Sequence, residues 1–138
     1  MKVWQINLNS IRPSDIRGKF DVVICGGILV HLERPGGLLT ILAQKIESDG
    51  ILIISISNVR HWSTLLPLIA QDRFTYADNG PIHRKHIRLF TLTEMLLLLK
   101  ECGWQPSDHI RSIHKPISAE AEPILRLAQE LGAGPQAQ

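Results

Sequence analysis

FDVVICGGILVHL, residues 20–32, organises everything around it. Val22–Cys25 is a short apolar run rich in β-branched residues, which reads as a strand buried on both faces. Gly26-Gly27 ends the run and lets a backbone or ligand come close where a side chain would block it. Ligands of open α/β sheets bind off the carboxyl ends of the strands. Gly26, Gly27, Ile28 and His31 are therefore the first candidates for a pocket.

Downstream, Pro35 suits a first helical turn. Leu38, Leu39, Ile41, Leu42 and Ile46 recur at helical spacing, with Gln44, Lys45, Glu47 and Ser48 on the wet side. Asp49-Gly50 is expected to close that helix, and Ile51–Ile56, apolar except for Ser55, is the second strand. Strand, helix and strand within so few residues make a βαβ unit with parallel strands. Ser57-Asn58-Val59-Arg60-His61 then opens on the same edge of the sheet as Gly26-Gly27. Upstream, Met1–Leu8 has weak strand alternation, and residues 9–19 read as loop.

Trp62–Gln71 is expected to be helical but interrupted at Pro67. Asp72–Leu89, with its Asp78-Asn79-Gly80-Pro81 turn signal, has the length of a lid or binding loop. Thr91-Leu92-Thr93-Glu94 is a capping box for a leucine-rich helix that Gly103 stops. An extended segment around Ile110–Ile113 and a helix from Pro123 (Ile124, Leu127, Ala128, Leu131) complete the expectation. One domain over residues 1–132 and a flexible tail over 133–138 follow.

The bulk numbers bound the class. Across 138 residues, 44% hydrophobic and 20% charged content is ordinary for a globular domain. A net charge of +2 gives no ground for expecting a nucleic-acid partner. Two distant cysteines form neither a disulfide framework nor a zinc pattern, so cytoplasmic localisation is the default. No apolar run reaches the roughly 18 residues of a membrane span, and none reads as a signal peptide.

FDVVICGGILVHL, DGILIISISNVRH, the RF-T-Y and HIRLFT segments, and the helix ending at Cys102-Gly103-Trp104 together resemble the C-terminal half of a class I S-adenosylmethionine-dependent methyltransferase. The similarity is to the branch of ubiquinone-biosynthesis and glycan-associated methyltransferases, and it covers roughly residues 6–104. The resemblance implies a truncated Rossmann-like α/β sheet with a parallel βαβ core and flanking helices. It also implies S-adenosyl-L-methionine as cofactor and a small-molecule methyl acceptor. The family's glycine-rich cofactor loop and ribose-holding acid are not found here. Asn7 aligns with its adenine-contacting aspartate, and its usual D-V-L-E-H-L is Gly27-Ile28-Leu29-Val30-His31-Leu32, without either carboxylate. In the implied strand order 3-2-1-4-5-7-6, Val22–Cys25 would lie at an exposed sheet edge, so self-association or a partner chain covering that edge is expected. Activity then requires residues outside the chain; the alternative is a non-catalytic scaffold or regulatory subunit that keeps the fold.

Within this frame Asn7, Gly26, Gly27 and Ile28 are the cofactor-side candidates. His31 could act as a general base on the acceptor, or simply be a helix-opening histidine bonded to backbone. Asn58 and His61 could contact the acceptor, or Asn58 could cap the next helix. His86 and Arg88, in the Arg84-Lys85-His86-Ile87-Arg88 run, could attract an anionic substrate or form a solvated face. His83 and His86 have chelating spacing without a carboxylate or thiolate beside them, so no metal is expected.

Overall fold

The computed structural model describes residues 3–106 together with Glu122 and Arg126. The expected extended segment around Ile110–Ile113, the apolar face of the C-terminal helix and the tail lie outside these residues. Strand β1 (Phe20–Gly26) leads through a 3-10 turn (Leu29–His31) into helix α1 (Pro35–Lys45), and strand β2 (Ile46–Ser55) returns beside β1. Helices α2 (Trp62–Gln71) and α3 (Leu92–Glu101) follow. The two strands pair in parallel, with Val22 opposite Ile51, Ile24 opposite Ile53 and Gly26 opposite Ser55. The βαβ unit expected from the sequence is present, as a mixed α/β arrangement with a two-stranded sheet.

The core lies on one side of that sheet. Leu38, Leu39 and Leu42 of α1 pack with Cys25, the Leu29–Val30 turn and Met95 of α3. Cys25 is buried, and burial pushes its thiol above the ordinary value of 9.0, so it is a packing residue and not a nucleophile. Cys102 is half-buried, and its Sγ donates to the Gly36 carbonyl at 3.4 Å.

Among the described residues, the other side of the sheet is exposed. Val22, Ile24, Ile51 and Ile53 are all exposed, Ile24 to 70%. This corrects the reading of β1 as buried on both faces. Paired residues of a parallel sheet share a face, and successive residues alternate. Among the described residues, it is the Val23/Leu52 and Cys25/Ile54 rungs that pack against the core.

Three boundaries also differ. Residues 3–7 form no strand; the backbone turns at Leu8–Asn9, and Asn9 Oδ1 accepts from the Glu33 amide at 2.9 Å. Helix α1 ends at Lys45 and β2 begins at Ile46, so Asp49-Gly50 lies inside the strand, beside the irregularity between Phe20 and Val22. Helix α2 runs through Pro67 without a break and ends where Asp72 adopts a left-handed conformation at φ 51°. Thr91 caps α3 as expected, its Oγ1 accepting from the Glu94 amide at 3.2 Å. Gly103, at φ +87°, stops that helix; its amide donates to Lys100 and that of Trp104 to Leu99, a Schellman closure. The Trp104 indole donates to the Leu39 carbonyl at 3.0 Å and ties the end of α3 to α1.

Candidate functional site

The two strand tips meet. The Gly27 amide reaches both the Ser55 carbonyl at 3.0 Å and the Ser55 hydroxyl at 3.1 Å, joining the first glycine turn to the end of β2. Gly27 sits at φ +63°, a conformation that favours glycine, and the space where a side chain would stand is empty. Ile28 is half-buried against the core, and its carbonyl accepts from the His31 amide at 3.0 Å. Ser55, the one polar residue of the Ile51–Ile56 run at the end of β2, is the rim residue not singled out as a site from the sequence. That very interruption was the signal for it.

Behind the rim, the 81–90 loop is fastened to the 3-10 turn. The Ile87 and Arg88 amides both donate to the Val30 carbonyl, at 2.9 and 3.0 Å. The Arg88 guanidinium donates to the Glu33 carbonyl at 2.6 Å. Further along, Asn58 and Phe90 form a parallel bridge, with the Val59 amide donating to Phe90 at 2.9 Å. The 81–90 loop is thus bonded both to the segment that follows β1 and to the segment that follows β2.

These bonds gather three histidines. His31 and His86 stand edge to face with ring centroids 5.1 Å apart, and His83 lies 5.4 Å from His86. His31 Nδ1 donates to the Lys85 carbonyl at 2.9 Å, so in the neutral ring Nε2 carries the lone pair. His83 Nδ1 accepts from the Lys85 amide at 3.0 Å. His86 Nδ1 stands between the Pro81 carbonyl at 3.3 Å and the His83 amide at 3.4 Å; it donates to the first when it carries the proton and accepts from the second when it does not. Among the described residues, no three His, Cys, Asp or Glu side chains are arranged to hold a metal ion.

The remaining candidates are placed elsewhere. Asn7 accepts locally from the Asn9 amide at 3.0 Å, and Asn58 accepts from the Arg60 amide at 3.0 Å. Asn58 does not cap α2; His61 does, its Nδ1 meeting the Ser63 hydroxyl at 2.8 Å and the Ser63 amide at 3.3 Å. A groove of about 390 Å³ lies between α2 and the following loop, lined by Thr64, Gln71, Arg73, Phe74 and Pro81 among others; none of the sequence-derived candidates lines it. Among the described residues, the Trp62 indole N–H is enclosed without a hydrogen-bond partner.

Burial lowers the pKa of His86 from the ordinary value of 6.5, and the neighbouring charges of His31 and His83 lower it further, against the Pro81 carbonyl. A depressed pKa means that the unfolded chain takes up this proton first as the pH falls. Stability contributed by neutral His86 is present above 6.5 and declines as the pH drops below that value toward the folded-state pKa. Urea midpoints in chloride buffer should fall over that range. His86→Gln should flatten the slope, and an unchanged slope would contradict the assignment.

The rim does not by itself make a cofactor cradle. The Gly27 amide is already spent on Ser55, and the Asn7 side chain on its own turn. Neither the 26–32 nor the 55–61 segment contains a carboxylate to hold ribose hydroxyls. The residues present do not fit S-adenosyl-L-methionine unaided. No helix of the described residues is long and apolar enough to cross a membrane. No protein-family model and no curated protein matches this sequence.

Proposed function

We propose that the chain is an S-adenosylmethionine-dependent methyltransferase-like unit whose cofactor cradle comes from residues outside these 138. The observation that carries this reading is the meeting of Gly26-Gly27 and Ser55 at one rim of a parallel βαβ unit, with His31 on the 3-10 turn that follows β1. Methyl transfer from a sulfonium needs donor and acceptor held in line, which is a demand for positioning. The chain supplies one wall of such a site, plus His31 with its Nε2 lone pair available to take a proton. The bare face of Val22, Ile24, Ile51 and Ile53 is where a cradle-bearing polypeptide would seat, either a partner or a second copy contributing a loop.

Titration with S-adenosyl-L-methionine, followed by amide NMR, tests the reading. Affinity no tighter than about millimolar is expected, roughly −4 kcal/mol, with shifts confined to Gly26, Gly27, Ser55 and their neighbours. Shifts elsewhere, or none at saturating ligand, would favour the second reading, a non-catalytic scaffold or regulatory subunit. The absence of any carboxylate along the 26–32 and 55–61 segments is the observation on that side.

A further inference from the structure

The His86 imidazole stands 5.1 Å from that of His31 and 5.4 Å from that of His83, centroid to centroid, and the protein has spent the same atom of each ring. The Nδ1 positions of His31, His83 and His86 all face backbone groups of residues 81–85. None of the three Nε2 atoms has a hydrogen-bond partner among the described residues. Backbone bonds therefore fix the rings and leave their outer nitrogens for something else.

The surroundings specify its sign. The segment PIHRKHIRLF, residues 81–90, carries Arg84, Lys85 and Arg88 and no acid. On the 3-10 turn side, Glu33 and Arg34 cancel. Arg84 is held by Asp78 at 3.0 Å, and Arg88 spends one of its N–H groups on the Glu33 carbonyl, so Lys85 and the rest of the Arg88 guanidinium remain as unbalanced positive charge. A proton added to any of the three rings meets no carboxylate in the cluster. The Pro81 carbonyl beside His86 favours such a proton, and the balancing negative charge has to come from an anion outside the described residues.

We propose that the His31–His83–His86 cluster is an oxyanion-binding site, taking a phosphate or carboxylate group of its ligand on imidazole Nε2–H donors. The site goes beyond the methyl-transfer reading, because it needs neither cofactor nor reaction. Binding an anion favours the protonated rings, so affinity rises as the pH falls and the complex holds its protons to higher pH than the free protein.

Sulfate is the probe for a phosphate-like group, since its charge is constant through the neutral range, and acetate is the probe for a carboxylate. Both are titrated into the full chain at constant ionic strength while the histidine Cε1–H resonances are followed by NMR. The expected result is sulfate or acetate binding at least tenfold tighter near pH 5.5 than near pH 8, with the titration midpoints of His31, His83 and His86 moved upward. The tighter of the two anions names the group. Anion affinity independent of pH, or midpoints that do not move, would overturn the site. His31→Gln and His86→Gln should each weaken binding severalfold, and parent-like affinity in both would also overturn it. The midpoint measurement uses the unaltered chain, so a variant that fails to fold leaves the test standing. Absence of S-adenosyl-L-methionine binding would leave this result unaffected, so the two readings fail separately.

Discussion

Leu39→Ala should lower stability by about 2–5 kcal/mol, enough to threaten a domain whose whole margin is of order 5–15 kcal/mol. Leu39 is fully enclosed between α1, the sheet and α3, at 0% exposure. Truncation removes its transfer free energy and leaves a cavity that the surrounding leucines fill only in part. Its carbonyl also receives the Trp104 indole, which limits how far α1 can relax toward the gap. The urea midpoint should fall, and the thermal midpoint should drop by about 10 °C or more. The matched control is Ile24→Ala on the bare face, expected to cost no more than about 0.5 kcal/mol. Equal losses in the two variants would show that the outer face is covered in solution, in which case a further layer packs on the second face of the β1–β2 pair.

That contrast also shows what the sequence could and could not reveal. The apolar runs of β1 and β2, Pro35 at the start of α1 and the Thr91 cap are local signals, and each marked its element. Burial is not local. A continuous run such as Val22–Cys25 has the composition of a two-sided strand, but its exposure depends on whether other chain segments reach its second face. Ile46 was ambiguous for a similar reason. It continues the helical stripe from Leu42, but the partner that claims it is Phe20 of β1.

The candidate site divides along the same line. Gly26-Gly27 was legible as the exit of β1, because a glycine pair after an apolar run marks a tight turn or a close backbone approach. The histidine cluster was only half legible. His83 and His86 are near in sequence, whereas His31 meets the loop through Lys85, 54 positions away, and only because two amides share the Val30 carbonyl. The sequence leaves Asn58 and His61 as acceptor contacts, or Asn58 as a helix cap; in the structure Asn58 closes an Asx turn and His61 caps α2. Short polar side chains beside a turn are readily captured by adjacent amides, so their availability to a ligand is the hardest property to read from spacing.

Gly50→Ala tests the least expected part of the fold, the start of β2 at Ile46. A Cβ at Gly50 would stand 3.0 Å from the carbonyl oxygens of both Phe20 and Asp21 and would run into the Ile46 side chain. The isoleucine has freedom to turn away, but the two carbonyls belong to the paired strand and give way only if the register between Phe20 and Val22 opens. The expected cost is about 1–3 kcal/mol, the range for forcing added volume into a packed site. Gly37→Ala provides the opposite sign in the same chain. Gly37 lies on the exposed side of α1 with nothing within 4 Å of the added atom, and alanine there should stabilise by about 0.5–1 kcal/mol through helix propensity. Measured together in urea, the two variants should move the midpoint in opposite directions. If Gly50→Ala is instead neutral, the Phe20–Ile46 pairing is not held in solution. The second strand then begins at Ile51, and the close approach of residues 20–21 to Gly50 plays no part in holding the two parallel strands together.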